Sequence, residues 1–276
     1  MTGAWRATDV LPPTERLRVL DLLNRLEVEL GREAIDEGRR RAVLHGGPAE
    51  HWLRWDGELL GAYAHLAHED VPSVEMAGGG FDDALGEILL RRHHHLRWWS
   101  RGEGIPVGRV VRTLHLMRAR LPVAAAPLPE GATLRPFDFA RDADAWLAQN
   151  NDAFADHPEQ GAWTRAQLDE RTHEAWYDPS GFLVLEVDGD LAASCWTKIH
   201  ELHPERFGEI YVISVHPRHQ RRGLGRLMTA RGLNSLHERG VRDAILYVDA
   251  DNAAALALYR SLGFSVERTD YVTHLP

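Results

Sequence analysis

The chain has 276 residues, 44% of them hydrophobic, and a formal net charge of −9. This acidic balance argues against nucleic acid as the main partner. The lack of a long apolar run argues against a membrane-spanning helix, and a single cysteine, Cys195, excludes an internal disulfide. We therefore expect a monomeric cytoplasmic protein without a signal peptide, with room for one large domain or two of ordinary size.

The first part of the chain predicts two helices and then a β-hairpin, with Asp56-Gly57-Glu58 as its turn. The predicted helices cover 13–30 and 36–45, and the predicted strands cover 51–56 and 59–67. The segment 120–137, rich in Pro and Ala, indicates a linker that runs into a new strand. We place a boundary in it at residue 126.

Beyond this boundary the same order returns, with Asp188-Gly189-Asp190 as the hairpin turn. The predicted strands are 132–137, 181–187, 191–199, 209–215 and 243–252, and the predicted helices are 141–154, 164–176, 224–240 and 253–264. We interpret the repeated order as an internal duplication. It predicts two lobes, residues 1–126 and 127–276.

The loop VHPRHQRRGLG, residues 215–225, joins a predicted strand to the start of a predicted helix. A helix N-terminus presents unpaired N–H groups and a positive dipole end, which favour an anion. Glycine lets the backbone approach phosphate oxygens closely, and arginine adds charge and donors. The sequence therefore predicts a diphosphate site, although an isolated RRGLG would also suit an ordinary surface turn.

The spacing Q-x-x-G-x-G after V-x-P resembles the pyrophosphate-binding motif of the GNAT acetyltransferases. The strand ending in DADN and the LYRSLGF segment follow in the order of that family, over residues 209–264. The resemblance implies bound acetyl-CoA and no metal. It also implies an α/β (α+β) fold of two tandem GNAT lobes, each a mixed, mostly antiparallel sheet flanked by helices.

The resemblance implies coenzyme contacts from three segments. These are the backbone of the strand end, the arginine-rich loop, and the start of the last helix. The implied residues are Ile213, Ser214, Val215, Gln220, Arg221, Arg222, Gly223, Leu224, Gly225, Arg226, Asn252, Ala253, Ala254, Ala255, Leu256 and Ala257.

Acetyl transfer to an amine needs a base for the amine proton and an acid for the departing thiolate. The resemblance implies Glu209 as the base, directly or through a water, and Tyr259 as the acid. Each residue also has a plain structural interpretation. Glu209 could be a solvated charge at a strand end, and Tyr259 could be a core aromatic.

Three further stretches, at 150–164, 195–200 and 208–217, resemble tandem-lobe members of the family. Those members acetylate the cysteinyl amine of cysteinyl-glucosaminyl-inositol (Cys-GlcN-Ins), a small-molecule acceptor. The alternatives are another amine, such as a protein N-terminus or a different small molecule, and a non-catalytic acyl-CoA sensor. The resemblance implies acceptor contacts from Glu37, Glu159, Lys198, Glu209 and Tyr247.

The first lobe differs from the second at the phosphate loop. Its counterpart, Val74 to Leu90, carries Asp82 and Asp83 where the second lobe carries arginines. Carboxylates repel a diphosphate, so we expect the first lobe to have lost coenzyme binding and to shape the acceptor cleft. Cys195 lies in an apolar strand beside Trp196, which predicts a buried, inert thiol.

Overall fold

The computed structural model describes residues 3–77, 81–102, 108–155, 161–202 and 205–276. The first half contains β1 (Trp5–Thr8), α1 (Pro13–Leu30), α2 (Glu37–His45), β2 (Glu50–Asp56), β3 (Leu59–Ala67), β4 (Ser73–Ala77), α3 (Asp83–His93), β5 (Leu96–Arg101) and β6 (Arg109–Arg120). The second half contains β7 (Ala132–Pro136), α4 (Phe139–Ala153), α5 (Arg165–Thr172), β8 (Phe182–Val187), β9 (Asp190–Leu202), β10 (Glu205–Val215), α6 (Leu224–Glu238), β11 (Asp243–Asp249), α7 (Ala253–Ser261) and β12 (Ser265–Leu275).

All six predicted helices are confirmed, and so are the strands of both hairpins. Strands β1, β5, β6 and β12 were not predicted. The predicted helix 164–176 ends earlier, at Thr172. The residues after it turn away from the helix so that the ring of Trp176 can pack 5.8 Å from that of Trp196.

One twelve-stranded sheet runs through both halves, in the order β1-β2-β3-β4-β5-β12-β6-β11-β10-β9-β8-β7. The last strand of each half pairs with the other half. Strand β12 lies antiparallel to β5, and β6 lies antiparallel to β11. This strand exchange makes one continuous ladder of backbone hydrogen bonds. The proposed boundary at residue 126 falls in the connection between β6 and β7, and it stays a prediction.

Helices cover both faces of each half. In the first half, α1 and α2 close one apolar core and α3 closes another on the opposite face. In the second half, α4 and α5 cover a core rich in aromatic residues, while α6 and α7 cover the other. Helix α2 lies beside α5, because Arg41 forms ion pairs of 2.8 Å with both Glu170 and Glu174. None of the described helices is long and apolar enough to cross a membrane.

Two histidines are buried in the first half. His51 and His65 are opposite each other on β2 and β3, and they are 3% and 2% exposed. The ring of His51 bonds the Tyr63 hydroxyl at 2.7 Å. Burial lowers the pKa of His51 to about 4 and that of His65 to about 3, with neighbouring arginines adding to the effect. Both rings are therefore neutral in the folded protein near pH 7.

Acidification from pH 7 to pH 5 should reduce the free energy of unfolding by about 2 kcal/mol for each buried histidine. The unfolded chain takes up protons below a histidine pKa of about 6.5, whereas the folded state stays neutral until lower pH, so stability falls as pH falls. Urea unfolding of His65→Gln should show a smaller loss than the native chain. The exposed His68, changed to glutamine, is the control, and equal losses in both variants would contradict the assignment.

Candidate active site

Strands β10 and β11 separate soon after they meet. Their parallel pairing is limited to Gly208 with Ala244 and Glu209 with Ile245, whereas β10 stays paired with β9 as far as Val215. An irregularity in register between Ile210 and Val212 marks the point of separation. Beyond Glu209, the β11-facing edge of β10 thus borders a gap in the described sheet. Predicted contacts from the backbone of Ile213, Ser214 and Val215 are compatible with this gap and stay predictions.

The start of α6 has the form of an anion site. Its N-cap is Gly223, in the left-handed region at φ 78°, and no side chain caps the helix. The preceding loop is tied to β10, because the side-chain amide of Gln220 donates to the carbonyl of Val215 at 3.2 Å. The N–H groups of the first turn of α6 therefore have no side-chain acceptor among the described residues. The exposed side chains beside them are those of Gln220, Arg221, Arg222 and Arg226. Leu224 is 4% exposed, so it can offer a ligand only its backbone.

The matching helix start in the first half is already occupied by a carboxylate. Asp82 caps α3, accepting from the backbone N–H of Leu85 at 2.9 Å, and it also pairs with Arg54. The first half also joins β5 to β6 through residues 102–108, fewer residues than α7 alone contains. These differences support the prediction that the first half has lost coenzyme binding. Residues 78–80 of its loop lie outside the described residues.

Helix α7 packs against the start of α6. A Cβ on Gly225 would lie 3.2 Å from Cδ1 of Leu258, and Arg226 donates to the hydroxyl of Ser261 at 3.2 Å. Asn252 caps α7 by accepting from the N–H of Ala255 at 3.1 Å. Ala253, Ala254 and Ala257 are exposed, Ala255 is partly buried and Leu256 is buried. Two of the predicted coenzyme segments therefore belong to neighbouring helices.

Tyr259 lies on the inner face of α7 and is 8% exposed. Burial, together with the nearby Cys195, raises the pKa of its hydroxyl, which keeps the hydroxyl protonated at neutral pH. An acid must start in this state, so the burial is compatible with the predicted role, which stays a prediction. Burial also raises the pKa of the Cys195 thiol to about 12. The predicted burial of this thiol is confirmed, and its raised pKa is compatible with the predicted inertness.

Glu209 lies at the last paired position of β10 and β11, at the mouth of the gap. It is 9% exposed, and its Oε2 lies 2.6 Å from Nε2 of His200 on β9. Its cross-strand partner is Lys198. The interpretation of Glu209 as a solvated strand-end charge is therefore wrong, because the side chain is buried and hydrogen-bonded. Its role as the base stays a prediction.

The two halves meet at Lys198. Its Nζ lies 3.0 Å from Oε2 of Glu37 and 3.2 Å from Oε1 of Glu33, both from the first half, and 5.1 Å from the ring centroid of Trp176. The structure thus brings together three of the predicted acceptor residues, Glu37, Lys198 and Glu209. We call Lys198, Glu33, Glu37, His200 and Glu209 the charge cluster.

Tyr247 lies next to the charge cluster. With His200 and Glu33 it lines a small cavity of about 60 Å³. Burial raises the pKa of its hydroxyl to about 12, so the group is a neutral donor. The fifth predicted acceptor residue, Glu159, lies outside the described residues.

Burial and neighbouring charges shift the pKa values of three members of the charge cluster, and not all in the same direction. Burial alone would raise the pKa of Glu33, but Lys198, His200 and Arg101 outweigh burial and lower it. The pKa of Glu37 is raised, by burial and by the charges of Glu33 and Glu209. Burial would lower the pKa of Lys198, but these carboxylates outweigh burial and raise it. Lys198 therefore stays a cation at every physiological pH.

Sequence reasoning did not single out Glu33 and His200, which belong to the charge cluster, or Tyr211, which contacts it. The hydroxyl of Tyr211 lies 3.5 Å from Oε1 of Glu37. A signal was available for two of them, since side chains two apart on a strand share a face. His200 follows Lys198 at this spacing, and Tyr211 follows Glu209.

The Acetyltransferase (GNAT) family matches residues 145–264. A mycothiol acetyltransferase from Streptomyces griseus is 38% identical over 95% of this chain and 92% of its own length. Another, from Streptomyces avermitilis, is 39% identical over 97% and 95%. Among solved structures, a GCN5-related N-acetyltransferase from Sphaerobacter thermophilus has a TM-score of 0.72 at 21% identity, covering 98% of this chain and 95% of that one. A tandem GNAT protein from the clavulanic acid biosynthesis pathway has a TM-score of 0.66 at 17% identity, covering 99% and 98%.

The sheet order and the divergent β10 and β11 define a tandem GNAT acetyltransferase, an enzyme that uses acetyl-CoA. Its relatives are similar along both halves. The chain belongs to the mycothiol acetyltransferase family. Within the described ranges, no group of three or more His, Cys, Asp or Glu side chains could hold a metal ion.

A carboxylate placed at the α6 N-cap should reproduce the filled site of α3. We expect Gly223→Asp to raise the Kd for acetyl-CoA by about tenfold or more, because a fixed negative charge opposes the diphosphate. Gly223→Asn has a similar shape, tolerates the same left-handed φ, and carries no charge. Calorimetric titration should show a clearly weaker effect for asparagine, and equal affinities in the two variants would argue against an anion site.

Proposed function

We propose that the protein transfers acetyl from acetyl-CoA to the cysteinyl amine of Cys-GlcN-Ins, giving mycothiol. The observation that carries this proposal is the charge cluster, in which Glu37 of the first half meets Lys198 and Glu209 of the second. The relatives named mycothiol acetyltransferase match the chain across both of these halves. A match along both halves is expected if the two halves together form the acceptor cleft.

The cleft suits a polyhydroxylated amine. In the charge cluster, Lys198 offers N–H donors while Glu33 and Glu37 offer acceptors, and Tyr247 adds a neutral hydroxyl. In this proposal, sugar and inositol hydroxyls replace part of the ion pairing between Lys198 and the two glutamates. A charged group already held by partners is well oriented for such recognition.

The proposed chemistry takes place at the mouth of the gap between β10 and β11. The diphosphate binds at the α6 N-terminus, and the thioester lies along the free edge of β10, whose N–H groups polarise its carbonyl. Glu209 takes a proton from the attacking amine as the N–C bond forms. As the C–S bond breaks, Tyr259 gives a proton to the coenzyme thiolate.

We also propose that the enzyme is a monomer and that it works in the cytoplasm, a reducing compartment. It has no nucleic-acid or membrane partner in this proposal. The net charge of −9 does not favour nucleic acid. The only cysteine is buried, and the proposed product is itself a free thiol. Sedimentation velocity at micromolar protein concentration tests the proposed monomeric state.

Glu209→Gln should lower kcat at least tenfold, a loss of roughly 1.4 kcal/mol of transition-state stabilisation. The amide keeps the shape of the side chain but is not a base. The measurement is thiol release from acetyl-CoA with Cys-GlcN-Ins, with Glu201→Gln, an exposed glutamate of β9, as the control. If the native chain binds acetyl-CoA but does not acetylate Cys-GlcN-Ins, the acceptor proposal fails and other amines should be screened.

Tyr259→Phe should lower kcat by about tenfold and leave the KM for acetyl-CoA nearly unchanged, because the hydroxyl acts only as the thiolate leaves. The ring packing against Phe264 is kept, so the fold should persist. Tyr271→Phe on β12 is a matched control. An unchanged rate in the Tyr259 variant would establish this residue as a plain core aromatic.

A further inference from the structure

His200 is held in one orientation beside the proposed base. Its ring is 6% exposed and stacks on Phe207, with ring centroids 4.7 Å apart and planes 16° apart. The two residues are cross-strand partners on β9 and β10. Ring stacking of this kind removes rotational freedom from the imidazole, so Nε2 points steadily at Glu209.

The contact between His200 and Glu209 uses only one carboxylate oxygen. Nε2 lies 2.6 Å from Oε2, whereas Oε1 accepts no hydrogen bond from any residue that the structure describes. A carboxylate with one oxygen tied cannot rotate freely. Its second oxygen is therefore the one that is left to receive a proton.

The other ring nitrogen of His200 faces the first half. Nδ1 lies 3.9 Å from Oε1 of Glu33, the residue that also holds Lys198. Glu33, His200 and Glu209 thus form a line from the first half to the base. Glu33 belongs to the connection between α1 and α2. A residue of the first half therefore lies beside the histidine that holds the proposed base of the second half.

We propose that His200 is a positioning residue for Glu209: it donates the hydrogen bond that fixes the carboxylate and leaves Oε1 to take the proton of the acceptor amine. This inference rests on the proposed function, because it needs Glu209 to be the base. In this proposal His200 aims the base.

Other ionisable groups surround Glu209 and enter any dependence on pH. His200 and Lys198 lie on β9, Glu33 and Glu37 belong to the first half, and Tyr247 lies on β11. All but His200 remain unchanged in the variants below, so a difference between these variants reports on the imidazole itself.

Two substitutions at His200 separate a donor from a ring. His200→Gln keeps an N–H that can reach Oε2 but loses the aromatic ring, whereas His200→Phe keeps a ring on Phe207 but has no donor. We expect His200→Phe to lose kcat by about tenfold or more, a loss of roughly 1.4 kcal/mol. His200→Gln should restore most of kcat, because its amide N–H replaces the donor of the imidazole.

The assay is thiol release at saturating acetyl-CoA and Cys-GlcN-Ins between pH 6 and 9, with thermal unfolding to check the fold. His115→Phe is the matched control, a β6 histidine whose ring bonds Thr269. Native activity in His200→Phe, or an equal loss of kcat in both variants, overturns the positioning role alone. Absence of turnover by the native chain overturns the proposed function, and this inference with it.

Discussion

Lys198 is a buried cation whose partners lie in the other half of the chain. An ammonium group taken out of water is costly unless charged partners compensate, and removal of one partner leaves the rest unpaired. Glu33 and Glu37 supply that compensation from the first half. The docking of the halves and the charge of the proposed acceptor cleft thus depend on the same ion pairs. The first half thus supplies two carboxylates to the charge cluster, although its own helix start is filled.

The exchanged strands give these ion pairs a fixed geometry. Because β12 lies beside β5 and β6 beside β11, the halves cannot slide without breaking ladder hydrogen bonds. The helices of the first half are therefore held at a set distance from β9 and β10. The two halves nevertheless differ at one helix start: α6 has no side-chain cap, whereas the carboxylate of Asp82 caps the N-terminus of α3.

Much of the fold could be predicted because its signals are local. Helices with apolar stripes, two Asp-Gly turns and a glycine-containing loop after a strand need only neighbouring residues to be recognised. Strands β6 and β12 escaped prediction because their partners are far away in sequence and belong to the other half. Their identity as strands depends on pairing that no short window contains.

The same reasoning applies to the candidate site. The coenzyme segments are contiguous and carry a motif, so they could be named in advance. Glu33 could not, because a contact between the α1–α2 connection and β9 arises only when the halves dock. The motif also does not predict which of its side chains are buried. Leu224 and Leu256 belong to the predicted coenzyme set, yet their side chains point into the core.

The strand exchange has a consequence for the order in which the protein is made. A ribosome delivers β5 long before β12, the last strand in chain order, so the first half emerges with an unpaired sheet edge. Such edges readily accept strands from other chains. Domains commonly fold one after another during synthesis, starting from the N-terminus. Here the first half must wait for the second, and a pause in translation between them prolongs the exposure of that edge.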